Sequence, residues 1–189
     1  MKMNIDRKIQ REKRNAVIRW VIYYLLAVIF YVVISTVRTA LPMPLLLIPL
    51  AVGVAAFENS SPFYAALFGI VCGLLLDSAT GTLVSFNGII VGAAAMMTSL
   101  IFLFYFRRQL INFILLDLAA AVVQGLLHYL FFYLLWGYDP SHAIFREIFV
   151  PEFILTNLWG IAVYGLLRLT ERIFGAVREH YIEENPSDK

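Results

Sequence analysis

Long apolar runs make up most of this chain, and charged or turn-forming residues lie between them. Six stretches contain no Asp, Glu, Lys or Arg: 20–37, 39–57, 59–76, 78–106, 118–138 and 153–167. A helix needs about 20 mostly apolar residues to cross a hydrocarbon core of about 30 Å. Most of the runs reach or approach that length, and the fifth extends back to residue 109 if Asp117 is tolerated. The pattern predicts an all-α polytopic membrane protein with six transmembrane helices.

Turn-forming residues set the predicted helix boundaries. The prolines of 40–44 predict a tight turn, because proline disfavours helical backbone in the preceding residue, so the second helix is a short one over 45–57. Ser61 and Pro62 indicate a helix start, with serine as N-cap and proline at the first helical position. The remaining boundaries are predicted as follows: a third helix to residue 76, a fourth from Gly88, a fifth over 110–136, a candidate interfacial segment at 141–150 and a sixth helix from Pro151.

The basic residues predict the orientation. If all six runs cross and the N-terminus is cytoplasmic, thirteen of the fifteen Lys and Arg residues lie inside, and Arg38 and Arg146 lie outside. If the second run did not cross, the division would be eight inside and seven outside. Lys and Arg are normally enriched in cytoplasmic loops. We therefore predict a basic cytoplasmic arm at 1–19, one six-helix domain at 20–170 and a cytoplasmic tail at 171–189.

Composition narrows the functional classes. With 61% hydrophobic and 15% charged residues, the chain has too little polar surface for a soluble domain. The net charge of +2 belongs mostly to the predicted inner face, so it indicates contact with anionic membrane lipids and not with nucleic acid. The three histidines are scattered, and the sequence has no phosphate-binding glycine loop and no nucleophile turn. We predict no enzyme activity, cofactor or metal.

The fifth helix carries an unusual polar stripe. Asp117, Gln124 and His128 are spaced so that they share one helix face with Ala121. Because an ionised carboxylate within lipid costs about 2.5–3.5 kcal/mol or more, Asp117 should face protein or water. One interpretation is a proton relay or a polar ligand pocket. We favour the other, a packed face that hydrogen-bonds across to Asn157 or Thr156.

The third and fourth helices carry small residues at a spacing of four, which lets two helix backbones approach closely. Gly69 and Gly73 form one such pair, and Gly88 and Gly92 form the other. Asp77 stands at the predicted end of the third helix, where an acid opposes the helix dipole. We expect it to cap the following turn, to pair with Arg38, or to contact a partner.

This segment resembles the MreD family of the bacterial rod-shape system. The family has a Gly-x-x-x-Gly-Leu-x-x-Asp core closing its third helix and a Gly-x-Asn segment opening the next. Seven positions carry the resemblance: Gly69, Gly73, Leu74, Asp77, Gly81, Asn87 and the neighbouring Gly88. The chain length and the short proline-started second helix are also similar to that family.

The resemblance implies a non-catalytic component of the cell-wall elongation complex, multi-pass in the bacterial cytoplasmic membrane. It implies direct binding of MreC, with MreB, RodA and a penicillin-binding transpeptidase as further members of the complex. It also implies a fold similar to the substrate-binding subunits of energy-coupling-factor vitamin importers, which are the alternative. Those subunits typically carry Ala-x-x-x-Ala in the first helix, whereas here Ala27 is followed by Tyr31.

We further predict one outward-facing patch that would receive MreC or another periplasmic-side partner. It combines the predicted turn at Asp77 with the 141–150 segment. The alternative is an internal pair of Asp77 and Arg38, with the 141–150 segment resting on lipid. The proposed patch consists of Arg38, Asp77, Ile144, Phe145, Arg146, Ile148 and Phe149.

Overall fold

The described part of the chain folds into a bundle of helices. The computed structural model describes residues 2–37, 45–58, 61–81, 83, 85–105, 109–135 and 145–174, with the backbone alone described for 2–9, 11, 12, 37 and 148. The helices are α1 (Lys2–Val37), α2 (Leu47–Phe57), α3 (Pro62–Thr80), α4 (Phe86–Phe104), α5 (Leu110–Tyr129) and α6 (Val150–Phe174). A π-helical turn, Leu130–Leu134, extends α5, and another, Phe145–Phe149, leads into α6. The prediction of an all-α fold is confirmed for these residues.

Five segments of the described chain are long and apolar enough to cross a membrane: Lys13–Thr36, Pro62–Thr80, Phe86–Phe104, Leu110–Leu134 and Phe145–Phe174. The remaining helix, α2, has 11 residues and is therefore about 16 Å long, which is too short to span a hydrocarbon core alone. The prediction of a multi-pass protein is thus confirmed. The prediction that each of the six runs forms a membrane-spanning helix is not.

Helix α2 is the centre of the bundle. All eleven of its residues are buried, and the helix is apolar on every side, as expected for a helix with neighbours all round. Its length is therefore not set by lipid thickness. At Gly53, an added methyl group would collide with the side chain of Leu167 of α6, so α2 and α6 pack closely at that point.

One end of the bundle is held together by Arg19. Its guanidinium donates to both carboxylate oxygens of Glu58, at 3.1 and 2.8 Å. Both Arg19 and Asn15 donate to the main-chain carbonyl of Phe174 at 3.4 Å. The N-terminal half of α1, the end of α2 and the end of α6 therefore meet at what we term the Arg19 end.

The opposite end, termed the Asp77 end, contains the start of α2, the end of α3 and the start of α4. There the main-chain N–H of Leu45 donates to Thr156 Oγ1 at 2.9 Å, which ties the start of α2 to α6. Successive helices consequently run in alternating directions between the two ends. This path agrees with the predicted six passes, although α2 makes its pass inside the protein.

Several predicted boundaries hold and others change. Ser61 caps α3 by accepting from the N–H of Phe63 at 3.4 Å, as predicted, and α4 begins within two residues of Gly88. Helix α3 runs one turn beyond the predicted end, and Gly81 terminates it in the left-handed conformation with φ +64°. The 145–149 part of the predicted interfacial segment is continuous with α6. Residues 141–144 and 175–189 lie outside the described chain.

Candidate functional site

The contact between α3 and α4 is made by glycines. A methyl group added to Gly69 would lie 2.8 Å from both Ala95 Cβ and the carbonyl oxygen of Val91. One added to Gly73 would lie 2.5 Å from Gly88 Cα and closer still to the carbonyl oxygen of Asn87. These distances are shorter than van der Waals contact, so the two backbones touch where a side chain would hold them apart. The predicted close approach of α3 to a neighbouring helix is confirmed.

At the glycines of α4, side chains of α3 continue the same contact. The side chain of Leu74 lies 3.3 Å from the position of a methyl group on Gly88. A methyl group on Gly92 would likewise lie 2.6 Å from Ile70. Each of these four glycines therefore contacts either the backbone or a side chain of the opposite helix, so α3 and α4 pack closely.

This close packing places Asp77 against the start of α4. Its side chain is 2% exposed, and Oδ1 accepts from the main-chain N–H of Asn87 at 3.0 Å and from Asn87 Nδ2 at 2.9 Å. Oδ2 accepts from the N–H of Gly88 at 3.4 Å. The first N–H groups of a helix have no partner within the helix, and they favour a negative charge. Asp77 thus opposes the dipole of its own helix but caps the next one.

A second amide extends this arrangement to α5. Gln124 Nε2 donates to Asn87 Oδ1 at 2.9 Å, and both residues are buried. Asp77, Asn87 and Gln124 therefore form one buried chain of hydrogen bonds across three helices. The expected partners of Gln124, Asn157 and Thr156, are not those it binds here. Thr156 instead bonds to Leu45 and to the carbonyl of Glu152, and Asn157 Nδ2 donates to the carbonyl of Phe153.

Asp117, the other buried polar residue of α5, points inward as expected. Asp117 is 1% exposed, and its Oδ2 lies against α6, 2.5 Å from the position of a methyl group on Gly160. Asp117 Oδ1 has no hydrogen-bond partner within the described residues, and neither has Asn157 Oδ1. A carboxylate oxygen thus lies buried in mid-bundle, between α5 and α6, without a donor.

A cavity of about 320 Å³ lies beside the Asn87–Gln124 pair at the Asp77 end. Side chains from α3, α4, α5 and α6 and from the 145–149 turn surround it, and most of them are apolar. Asn87, Gln124 and Thr156 contribute buried polar groups to its wall, and His128 and Glu152 also line it. The polar stripe of α5 therefore forms part of the cavity wall. The cavity lies where the interpretation of the stripe as a ligand pocket would place it.

The proposed outward patch does not form as predicted. Asp77 is buried in the α3–α4 contact, and Phe149 packs against α5, with its ring centre 5.6 Å from that of His128 and 5.8 Å from that of Tyr133. Phe145 contacts Tyr129 and is half-exposed, and Arg146 is exposed. The Phe145 and Phe149 rings therefore pack against α5, and Asp77 does not lie on an exposed face. Arg38 and Ile144 lie outside the described residues, as does the side chain of Ile148.

Two side-chain pairs among the described residues illustrate contacts that the sequence analysis did not predict. The Arg19–Glu58 pair could have been found, since the predicted topology puts both residues at the same membrane face with opposite charge. The Asn87–Gln124 pair could have been sought among amides at similar depth, but nothing in the spacing selects one partner over another.

No group of three or more His, Cys, Asp or Glu side chains in the described part of the chain is placed to hold a metal ion. The arrangement at the Asp77 end can cap a helix, join three helices and enclose a small volume. Neither a protein-family model, nor a curated protein, nor a solved structure matches this chain.

Proposed function

We propose that this protein is a non-catalytic scaffold of the bacterial cell-shape and wall-elongation complex, similar to MreD. In this role it binds MreC directly and supports peptidoglycan synthesis together with MreB, RodA and a penicillin-binding transpeptidase. The observation that carries the proposal is the packing of the segment that resembles MreD. Most of its residues lie at the contact between α3 and α4, where Gly73 lies on the α4 backbone and Asp77 caps α4.

This contact between α3 and α4 favours a structural role for those residues. Asp77 is buried, and its described bonds go to main-chain and side-chain groups of α4, so the motif serves to join two helices. A scaffold must present a constant surface to its partners. Backbone contact between two helices supplies such rigidity, because small residues allow little rotameric variation at the interface.

We place the protein in the bacterial cytoplasmic membrane with the Arg19 end facing the cytoplasm. The support is the distribution of charge along the described helices, since cytoplasmic ends are enriched in Lys and Arg. At that end, the basic residues whose side chains the structure describes are Lys13, Arg14, Arg19, Arg168 and Arg172. In intact cells, an impermeant thiol reagent should label a cysteine placed at residue 83 and not one placed at residue 189, in a Cys72→Ser background.

The alternative is a substrate-binding subunit of an energy-coupling-factor vitamin importer. The cavity of about 320 Å³ at the Asp77 end favours it, since small-molecule pockets commonly begin near 300 Å³. That cavity lies near the end of the bundle that would then be on the outer side, where a vitamin is collected. The side chain of Tyr31, where importer subunits typically have alanine, counts against this alternative.

Affinity purification in mild detergent separates the two functions. We expect the tagged protein to recover MreC together with RodA or the transpeptidase, and a control membrane protein carrying the same tag to recover none of them. Recovery of the paired ATPases of an importer would support the alternative. A stable, monodisperse protein that recovers no wall-synthesis component would contradict the scaffold proposal.

A further inference from the structure

The cavity at the Asp77 end has a rim that faces lipid. Val122 and Leu126 of α5 line it and are 37% and 53% exposed, and Val150, at the start of α6, lines it and is 39% exposed. In a membrane protein, exposed apolar side chains on helix surfaces face acyl chains. The cavity therefore opens sideways between α5 and α6, toward the bilayer interior.

A glycine makes room for the cavity on the α5 side. Gly125 lines the cavity, and among the described residues the nearest atom to an added methyl group would be Phe149 Cδ1, 4.0 Å away. By contrast, the α3–α4 glycines are all in contact with their partners. Gly125 thus leaves a gap that α6 does not fill, where a larger side chain would project into the cavity.

The inner wall offers hydrogen bonds without a positive charge. Asn87, Gln124 and Thr156 are buried and uncharged, and they lie beyond the apolar rim. Among the lining residues that the structure describes there is no Lys or Arg, and Glu152 is the one carboxylate. Among the described lining residues, His128 is the one side chain that can carry a positive charge, so a phosphate or carboxylate head would meet Glu152 with at most that one cation. Burying a poorly paired charge is costly. A hydroxyl or a similar neutral group would find partners.

We propose that this cavity binds an uncharged amphiphile from the bilayer, such as a long-chain or isoprenoid alcohol, with its hydroxyl directed to Gln124 and Thr156. The apolar chain leaves through the rim at Val122 and Leu126 and continues among the acyl chains. The volume of about 320 Å³ accommodates the head and the first part of the chain. This site does not rest on the scaffold role, because the groups assigned to the hydroxyl, Gln124 and Thr156, lie on α5 and α6, although Asn87 of α4 forms part of the wall.

Photo-crosslinking tests the proposal. The purified protein is placed in vesicles of phosphatidylethanolamine and phosphatidylglycerol that contain a long-chain alcohol with a diazirine near the hydroxyl. We expect crosslinks to concentrate on the cavity walls of α5 and α6. The carboxylic acid with the same chain and diazirine should label those residues at least tenfold less.

Two glycine variants form a matched pair. Gly125→Leu should fill the cavity and lower the alcohol crosslinks on its walls about tenfold. Gly165→Leu places the same side chain on α6, where no atom of the described residues lies within 4 Å of an added methyl group, and should leave the crosslinks unchanged. Val122→Trp, which obstructs the rim from outside, replaces Gly125→Leu if that variant does not fold.

Each outcome decides one part of the proposal. Crosslinks spread over the lipid-facing surface, or unaffected by Gly125→Leu and Val122→Trp, would overturn the site and indicate surface lipid only. Equal labelling by the acid would overturn the assignment of an uncharged head. If the wild-type protein does not bind MreC, the crosslinking result is unaffected. The scaffold proposal and the cavity proposal can therefore fail separately.

Discussion

The α3–α4 and α5–α6 pairs are both antiparallel neighbours with glycines, yet they pack differently. On the first pair, methyl groups on Gly69 and Gly73 would collide with the α4 backbone. On the second, a methyl group on Gly160 would meet the side chain of Asp117 at 2.5 Å but no α5 backbone. Among the described residues, Gly125 has its nearest neighbour 4.0 Å away and Gly165 has none within 4 Å. Glycine content therefore does not by itself produce close packing. Two glycines at a spacing of four on each helix do so, because the small faces oppose each other along a full turn.

The two buried aspartates differ in the same way. Asp77 meets the start of α4, where helix N–H groups have no intrahelical partner and can bind a carboxylate. Asp117 meets the middle of α6, where each N–H is already used within the helix, and its Oδ1 has no partner among the described residues. The cost of burying a carboxylate is thus offset at one site and not at the other.

The largest expected effect is at Gly73. Gly73→Leu must force α3 and α4 apart and should lower the free energy of unfolding by at least the roughly 1–3 kcal/mol typical of overpacking. Gly73→Ala should also be clearly destabilising, since even its methyl group meets backbone. Unfolding in mixed detergent and SDS micelles measures this.

Gly88→Ala is the matched control across the same contact. Its methyl group would meet the flexible side chain of Leu74 at 3.3 Å, so we expect a change below about 1 kcal/mol, comparable to the helix propensity gained. Equal stability of Gly73→Ala and Gly88→Ala would show that the two backbones are not in contact in the membrane.

A smaller effect is expected at Asp77. Asp77→Ala removes the acceptor of the Asn87 and Gly88 N–H groups and should cost about 1–3 kcal/mol, the usual cost of leaving buried donors unpaired. Asp77→Asn keeps one acceptor oxygen and should lie between Ala and wild type. Ser78→Ala, at the exposed neighbouring position, should change stability by less than about 0.5 kcal/mol. If Ser78→Ala were as damaging as Asp77→Ala, the cap would not be the cause.

The smallest effect is expected at Asp117. Asp117→Asn has nearly the same shape and removes a buried carboxylate whose Oδ1 has no partner, so stability should be unchanged or slightly higher. Complex assembly should be retained in the affinity purification. A well-folded Asp117→Asn protein that recovers no partner and does not support growth would instead favour the proton-relay interpretation.

The sequence predicted the contacts of some of these regions better than those of others. The glycine spacing on α3 and α4 is local information, and it correctly predicted a close contact. The inward direction of Asp117 and Gln124 also followed from the cost of polar groups in lipid. The partner of Gln124 could not be predicted, because Asn87 and Gln124 are 37 residues apart and hydrogen bonding selects by distance and direction in space.

By itself, the amino-acid sequence determined the helical, multi-pass character of the protein, the cap at Ser61 and the small-residue faces. These depend on neighbours within about one helical turn and on the thickness of the bilayer. Tertiary structure alone decided that α2 is the buried centre, that Asp77 caps α4, and that a cavity remains beside Gly125. Those features depend on how far apart packed helices stand, and that separation is set by all their side chains together.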